Sequence, residues 1–315
     1  MESWAHYQST KGGVSVSGHS VPQSAITNAM TIDVEDYFHV SAFEHRFHRS
    51  QWDQQECRLE RNMETILALL DRYRIKATFF TLGWVAERYP AVIRSLVESG
   101  HELACHSYWH KRANNQHREE FIEEIVNTKK LLEDIGGMAV MGYRAPSYSI
   151  GTHNLWAHEE LMHAGYRYSS SIYPIIHDHY GMPSAPRFAY RPIDDSEFLE
   201  IPITTSYIFN RRLPAGGGGY FRFFPYAFSR ALLRKVNNQE QQPGIFYFHP
   251  WEIDPGQPRQ HDISLKTRFR HYLNLHHTEE RLNRLFSDFY WGRMDRVFLS
   301  SASLAGQYPS TGPYL

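Results

Sequence analysis

The stretch Glu102-Leu103-Ala104-Cys105-His106-Ser107-Tyr108-Trp109-His110 joins a short apolar run to two histidines spaced four apart. The preceding segment opens at Pro90, carries Val92, Ile93, Leu96 and Val97, and stops at Gly100, the signature of a helix. A buried strand is therefore expected next, delivering both imidazoles at its C-terminal end. If residues 106–110 form one helical turn, the two rings point the same way and can hold one metal ion. The hydroxyl of Ser107 suits the start of such a turn, where it can bond a free backbone N–H. Two histidines alone do not make a catalytic metal site, which takes a third protein ligand and keeps an open position. In a chain with 19 histidines the pair can equally be a surface coincidence, so the other segments decide.

Upstream, residues 75–82 (I-K-A-T-F-F-T-L) predict a second buried strand, preceded by a helix with Met63, Ile66, Leu67, Leu70 and Tyr73 on one stripe. Residues 29–34 predict the first strand, which ends in Glu35 and Asp36. Acidic groups at a strand end are costly unless they serve a site; a turn accounts for Glu35 and Asp36 but not for Asp33, inside the apolar run. Downstream, a helix over 119–134 and a strand over 139–143 lead to Arg144-Ala145-Pro146-Ser147-Tyr148. An arginine there can grip a carboxylate with a forked pair of hydrogen bonds, or face solvent beside a structural turn. A helix over 154–164 and strands over 166–172 and 200–207 follow. The run Gly216–Gly219 lacks phosphate-loop spacing and predicts a close turn or a mobile flap. Residues 244–252 predict a buried strand ending on His249, and 297–299 a final strand. This alternation implies a parallel sheet or barrel with active groups at strand ends.

The 315 residues are 42% hydrophobic and 15% aromatic, enough for a large core. A formal net charge of -1 argues against a nucleic-acid footprint or a polybasic membrane surface. Cys57 and Cys105 are the only cysteines, so no disulfide framework is expected. No run has the length of a membrane span and the start lacks a basic-then-apolar leader, so a cytoplasmic protein is expected. Residues 1–28 are polar and unperiodic and read as a flexible arm before a domain over 29–315.

Taken in order, the acidic strand end, H-S-x-x-H, R-A-P and F-H-P resemble the polysaccharide deacetylases of the NodB-homology type, carbohydrate esterase family four. The stretches T-I-D-V-E-D-Y-F, G-G-G-Y-F-R, Y-F-H-P-W-E-I-D-P and R-F-R-H-Y-L-N-L are similar to the branch of that family linked to exopolysaccharide and exosortase loci. The resemblance implies a distorted (β/α) barrel with a C-terminal extension over about 205–315. It also implies one divalent metal ion held by two histidines and a carboxylate: zinc first, with cobalt, nickel, manganese or iron as alternatives. His106 and His110 match the histidine ligands. Asp33 matches the general base, but Val34 stands where the family has its ligand aspartate, so Glu35 or Asp36 must supply the carboxylate. Glu35 is favoured because it shares a strand face with Asp33. Arg144 matches the arginine that orients the base, and His249 the general acid. The family often carries Tyr-Asp-Ser-Ser near that acid; this chain has Tyr168-Ser169-Ser170-Ser171, leaving the orienting group of His249 open.

The chemistry asks for these residue types. Amide carbonyls are poor electrophiles, so a metal must polarise them and activate water. A carboxylate removes the water proton, and a backbone N–H of Ser147 or Tyr148 can share the oxyanion. A histidine titrates in the range needed to protonate the leaving amine. The expected function is removal of N-acetyl groups from N-acetylhexosamine units of a polysaccharide, with Ser147, Tyr148 and Trp251 bordering the sugar. The rivals are a small-amide hydrolase on the same barrel and a catalytically silent glycan-binding homologue.

Overall fold

In the computed structural model, which describes residues 26–178, 180–300 and 308–310, the first strand is the axis of the molecule. β1 (Thr27–Val34) is buried from Asn28 onward. It is followed by β2 (Thr78–Thr81), β3 (Glu102–Cys105), β4 (Gly142–Tyr143), β5 (Tyr168–Ser169) and β6 (Leu199–Glu200), each pairing in parallel with the one before. An antiparallel hairpin, β7 (Thr205–Ile208) and β8 (Arg211–Pro214), stands apart. The chain then returns: β9 (Ile245–Phe248) and β10 (Tyr290–Gly292) both pair in parallel with β1.

Helices cover the outside: α1 (Leu59–Arg72), α2 (Gly83–Arg88), α3 (Pro90–Glu98), α4 (Arg118–Gly136), α5 (Ala157–His163), α6 (Gly218–Phe223), α7 (Tyr226–Asn238), α8 (Leu265–Tyr272), α9 (Thr278–Asp288) and α10 (Met294–Phe298). Strand alternation divides the side chains between two environments. Met30, Ile32 and Val34 of β1 and Phe79 of β2 pack outward under the helices, while Ala29, Phe80, Ala104 and Tyr247 fill the interior. By the same alternation Asp33 faces inward with Ala29 and Thr31.

Between β6 and β9 the ring is completed by single backbone bonds. Ile203 N–H donates to Ile172 O (3.0 Å), Ala215 N–H to Thr204 O (3.0 Å) and Tyr247 N–H to Gly216 O (2.7 Å). The Gly216–Gly219 run is thus no flap. Gly217 has φ 112°, and a Cβ there would lie 2.1 Å from Tyr247 O, so only glycine lets the two backbones meet.

Several sequence expectations shift. The 139–143 and 166–172 strands shrink to two paired residues each, and 200–207 splits into β6 and β7. The strand expected at 297–299 is a helix, and β10 lies just before it. A three-residue apolar run carries no period; here Thr78 Oγ1 and Glu102 Oε2 accept from Met294 and Asp295 N–H, satisfying the start of a helix. The arm ends earlier than residue 28, because Thr27 pairs with Tyr290 and Asn28 Oδ1 accepts from Gly244 N–H (2.7 Å). Residues 1–25 of that arm lie outside the described residues.

Candidate active site

Residues 106–110 do not form a helical turn. They are a loop in which Ser107 (φ 68°) and His110 (φ 51°) are both left-handed. Its free N–H groups are gathered by a side chain that no local pattern singles out. Glu124 Oε1, on α4, accepts from Ser107 Oγ (2.7 Å), Tyr108 N (3.0 Å) and Trp109 N (3.5 Å). Ser107 therefore serves the loop by donating to Glu124, not by capping a helix.

This loop still brings the two imidazoles together, and Glu35 joins them. One ligand atom from each of Glu35, His106 and His110 lies within 4.8 Å of the others, and all three residues are buried. His106 Nδ1 meets Arg144 O at 2.8 Å, which fixes that nitrogen as the proton carrier and leaves Nε2 with a free lone pair. Burial holds the His106 pKa down at about 4, the neutral form a metal requires. Glu35 Oε2 lies 3.0 Å from His110 Nε2 and yet makes no hydrogen bond. A buried carboxylate oxygen close to an imidazole nitrogen but unaligned with it is what two ligands of one ion look like, so this donor set fits a divalent metal. Burial works against the Glu35 anion, but His110 and His249 outweigh it and hold its pKa well below the usual value.

Asp36, the alternative ligand, is turned away. Its Oδ1 accepts from Tyr37 N (2.7 Å) and its Oδ2 from Arg58 N (2.6 Å), so it stitches the end of β1 to the start of α1. The chain turns just past Val34, and with both oxygens on backbone N–H groups the carboxylate cannot also reach the histidines. Burial raises its pKa to about 6 despite those two bonds.

Asp33 and Arg144 form the buried pair expected of a base and its holder. Arg144 is fully buried and its Nη1 donates to Asp33 Oδ1 (2.6 Å) and Thr31 Oγ1 (2.9 Å). Its Nε and Nη2 donate to Ser170 O and Oγ, and its guanidinium lies 4.0 Å over the Phe80 ring. The solvent-facing alternative for this arginine is thus excluded.

His249 Nε2 stands 3.1 Å from Glu35 Oε1 and 3.8 Å from Asp33 Oδ2. The orienting partner missing at Ser169 is supplied elsewhere: Glu252 Oε1 lies 2.6 Å from His249 Nδ1, and Arg222 Nε donates to Glu252 Oε2 (2.6 Å). Ser169 Oγ instead bonds Ser171 Oγ. Burial pulls the His249 pKa down, but its hydrogen bonds to Glu252 and Glu35 prevail and push it up to about 10. The visible signal was the spacing in His249-Pro250-Trp251-Glu252, a cap residue followed three positions later by a glutamate.

These groups open onto a cleft of about 960 Å³, also lined by Trp109, Ser147, Tyr148 and Trp251. Ser147 (φ 55°) and Tyr148 (φ 52°) are consecutive left-handed residues, a strain found mostly where function demands it. Tyr148 N–H is spent on Ala145 O, so of the two only Ser147 N–H can serve an incoming oxygen. Trp251 has its face covered: it stacks between His249 (5.2 Å) and His271 (4.3 Å), so it packs on His249 and keeps no open face for a sugar. The aromatic open to solvent is Trp109, 39% exposed, from the middle of the histidine loop.

Two family models divide most of the chain between them. Residues 51–169 match "Polysaccharide deacetylase" and 170–299 match "Domain of unknown function (DUF3473)". The fold also aligns with a Mycobacterium smegmatis crystal structure assigned to the polysaccharide deacetylases, with a TM-score of 0.57 and 18% identity over 89% of this chain and 91% of that one. The chain carries a polysaccharide deacetylase domain of the NodB-homology type, carbohydrate esterase family four, followed by a DUF3473 region. In particular, it is similar to a peptidoglycan-N-acetylglucosamine deacetylase of Bacillus cereus, 32% identical over 96 residues, or 30% of this chain and 35% of that protein. A peptidoglycan deacetylase of Helicobacter pylori is 27% identical over 107 residues, 34% of this chain and 36% of that protein. The chain thus matches only about a third of the length of these relatives.

Proposed function

We propose that the chain is a metal-dependent hydrolase that removes N-acetyl groups from N-acetylhexosamine units of an exopolysaccharide. The observation that carries this reading is the meeting of two separately held groups in one cleft with Glu35, His106 and His110: Asp33 gripped by Arg144, and His249 gripped by Glu252. Glu35, His106 and His110 would hold a divalent ion, zinc being suited to one carboxylate and two imidazoles. Bound there, the ion supplies Lewis-acid polarisation of the amide carbonyl and a lower pKa for the attacking water.

The remaining work falls to the chain itself. Asp33, held in place by the Arg144 guanidinium, accepts the proton of the attacking water. Arg144 cannot wander, because Thr31, Ser170 and the Phe80 ring fix it from three sides. Ser147 lines the same cleft and lends its N–H as a donor for the developing oxyanion. His249, protonated at Nε2, gives its proton to the departing amine while Glu252 holds the ring in place. Trp109 at the mouth offers a face for a sugar ring. That relatives carry the names of peptidoglycan and N-acetylglucosamine deacetylases supports an N-acetylated glycan as substrate.

Acetate release across a series from N-acetylglucosamine to its hexasaccharide tests this reading. Turnover should rise with chain length, since remote sugar units add binding energy usable at the reacting centre. A flat response would favour the small-amide hydrolase. No acetate from any member, with metal bound, would favour a silent glycan binder.

A further inference from the structure

Beside the mouth of the cleft, α8 is a helix that buries little. Of its eight residues only His271 is buried. Leu265 and Phe269, one turn apart on the same face, are 82% and 54% exposed. At the end of α6 the Phe223 ring, also exposed, has its centroid 6.5 Å from that of Phe269. Ile176, 89% exposed, precedes Asp178 by two residues, and the Asp178 carboxylate binds both Lys266 and Arg270 of α8. Four of the eight large apolar side chains exposed among the described residues therefore gather on this one surface. Apolar patches of this kind mark a surface that something covers.

The charges say what covers it. Lys266, Arg268 and Arg270 alternate with the apolar positions, and α8 contains no acidic residue. Apolar tips set among cations are the chemistry of a surface that sinks into the headgroup boundary of an anionic membrane. A second copy is a poorer occupant, because the three cations outnumber the one Asp178 carboxylate that binds Lys266 and Arg270, and a two-fold contact would press that excess against its own counterpart. Lys266 and Arg270 also line the cleft, so whatever lies against α8 sits at its entrance.

We propose that α8, with Phe223 and Ile176, seats the protein on an anionic lipid bilayer and holds the cleft mouth at the membrane surface. Binding to lipid stands on this surface alone. That the glycan is taken from the membrane plane rests on the deacetylase reading.

The test is sedimentation of the full chain with vesicles of phosphatidylcholine alone or mixed with phosphatidylglycerol. The wild type should sediment with the anionic vesicles, more weakly as salt rises. Leu265→Ser with Phe269→Ser should lower that affinity on the order of a hundredfold, as withdrawal of two large side chains from an apolar layer implies. Neither residue lines the cleft, so acetate release from soluble oligosaccharides should stay at the wild-type rate. Arg268→Glu should weaken binding to anionic vesicles only. The proposal is overturned if the wild type binds neither vesicle, or if the double variant binds as well as the wild type. A wild-type mass of two chains in solution, falling to one in the double variant, would also overturn it by naming a second copy as the occupant. The vesicle readout needs no turnover, so failure of the deacetylase reading would leave its result intact.

Discussion

His249 Nδ1 and Glu252 Oε1 lie 2.6 Å apart across a three-residue turn, with Arg222 behind the glutamate. Glu252 makes the contact to His249 that the family resemblance would place some eighty positions earlier, at Ser169. Pro250 starts the turn that brings the two together, and the stack of Trp251 on His271 closes it from outside. Glu252→Gln keeps an acceptor but removes the charge. The His249 pKa should then fall, so the alkaline limb of the hydrolysis profile should move to lower pH and the rate should drop about tenfold or more. An alkaline limb that stays in place would show that Glu252 does not act through His249.

The same raised pKa makes a stability prediction. His249 is held at about 10 against an ordinary value near 6.5, so its contribution is full below the lower value and is lost as pH rises through the upper one. Urea denaturation over that interval should show stability declining with pH in the wild type and declining less in His249→Gln. Equal slopes would mean that the imidazolium carries no such contribution.

Metal content separates the two neighbouring acids. His106→Ala, His110→Ala and Glu35→Ala should each abolish stoichiometric metal by elemental analysis. Asp36→Ala should keep the metal and lose stability instead, by about 1–3 kcal/mol, because Tyr37 and Arg58 N–H groups lose their acceptor. Loss of metal in Asp36→Ala with Glu35→Ala unaffected would reverse the assignment.

Glu124 holds the histidine loop without touching the ligand group. Glu124→Ala leaves Ser107, Tyr108 and Trp109 without their common acceptor, so metal affinity should weaken about 10–100-fold while the fold persists. Titration with a chelator competitor reads this directly, and an unchanged affinity would show that the loop holds its left-handed residues unaided.

Gly217→Ala tests the closure of the ring. The substitution adds a Cβ at φ 112° and 2.1 Å from Tyr247 O, so unfolding free energy should fall by at least about 1–3 kcal/mol. A variant as stable as the wild type would mean that β9 does not depend on this approach.

Much of this site was legible because strand ends concentrate chemistry and because the deacetylase motifs come in order. Asp33, His106, His110, Arg144 and His249 could all be named from the chain; the structure brings four of them to one cleft, with Arg144 buried behind Asp33. The choice between Glu35 and Asp36 could be favoured but not fixed, since it turns on which way the backbone leaves β1. Glu124 was illegible, since a glutamate in a helix looks like a surface residue until tertiary packing brings it to a loop; Arg222 closes the G-G-G-Y-F-R stretch, but nothing local tied it to a carboxylate thirty residues on. Secondary structure failed where sheet pairing was only two residues long, at β4, β5 and β6, because such strands carry no period to read. The glycine run was misread for a related reason. Its purpose lies in a partner strand about thirty residues away, which no local pattern reveals.

The boundary between the two family models falls between residues 169 and 170, yet β1 is flanked by β2 from one side of that boundary and by β9 and β10 from the other. His106, His110 and Arg144 lie before it, His249, Glu252 and Arg222 after it, and Asp33 and Glu35 ahead of both models. The site residues are thus drawn from both sides of the boundary. A gene split there would leave Asp33, Glu35, His106 and His110 in one product and His249 with Glu252 and Arg222 in the other. On the proposed reading the two segments make one catalytic unit, and this chain cut at that boundary should turn over in neither part.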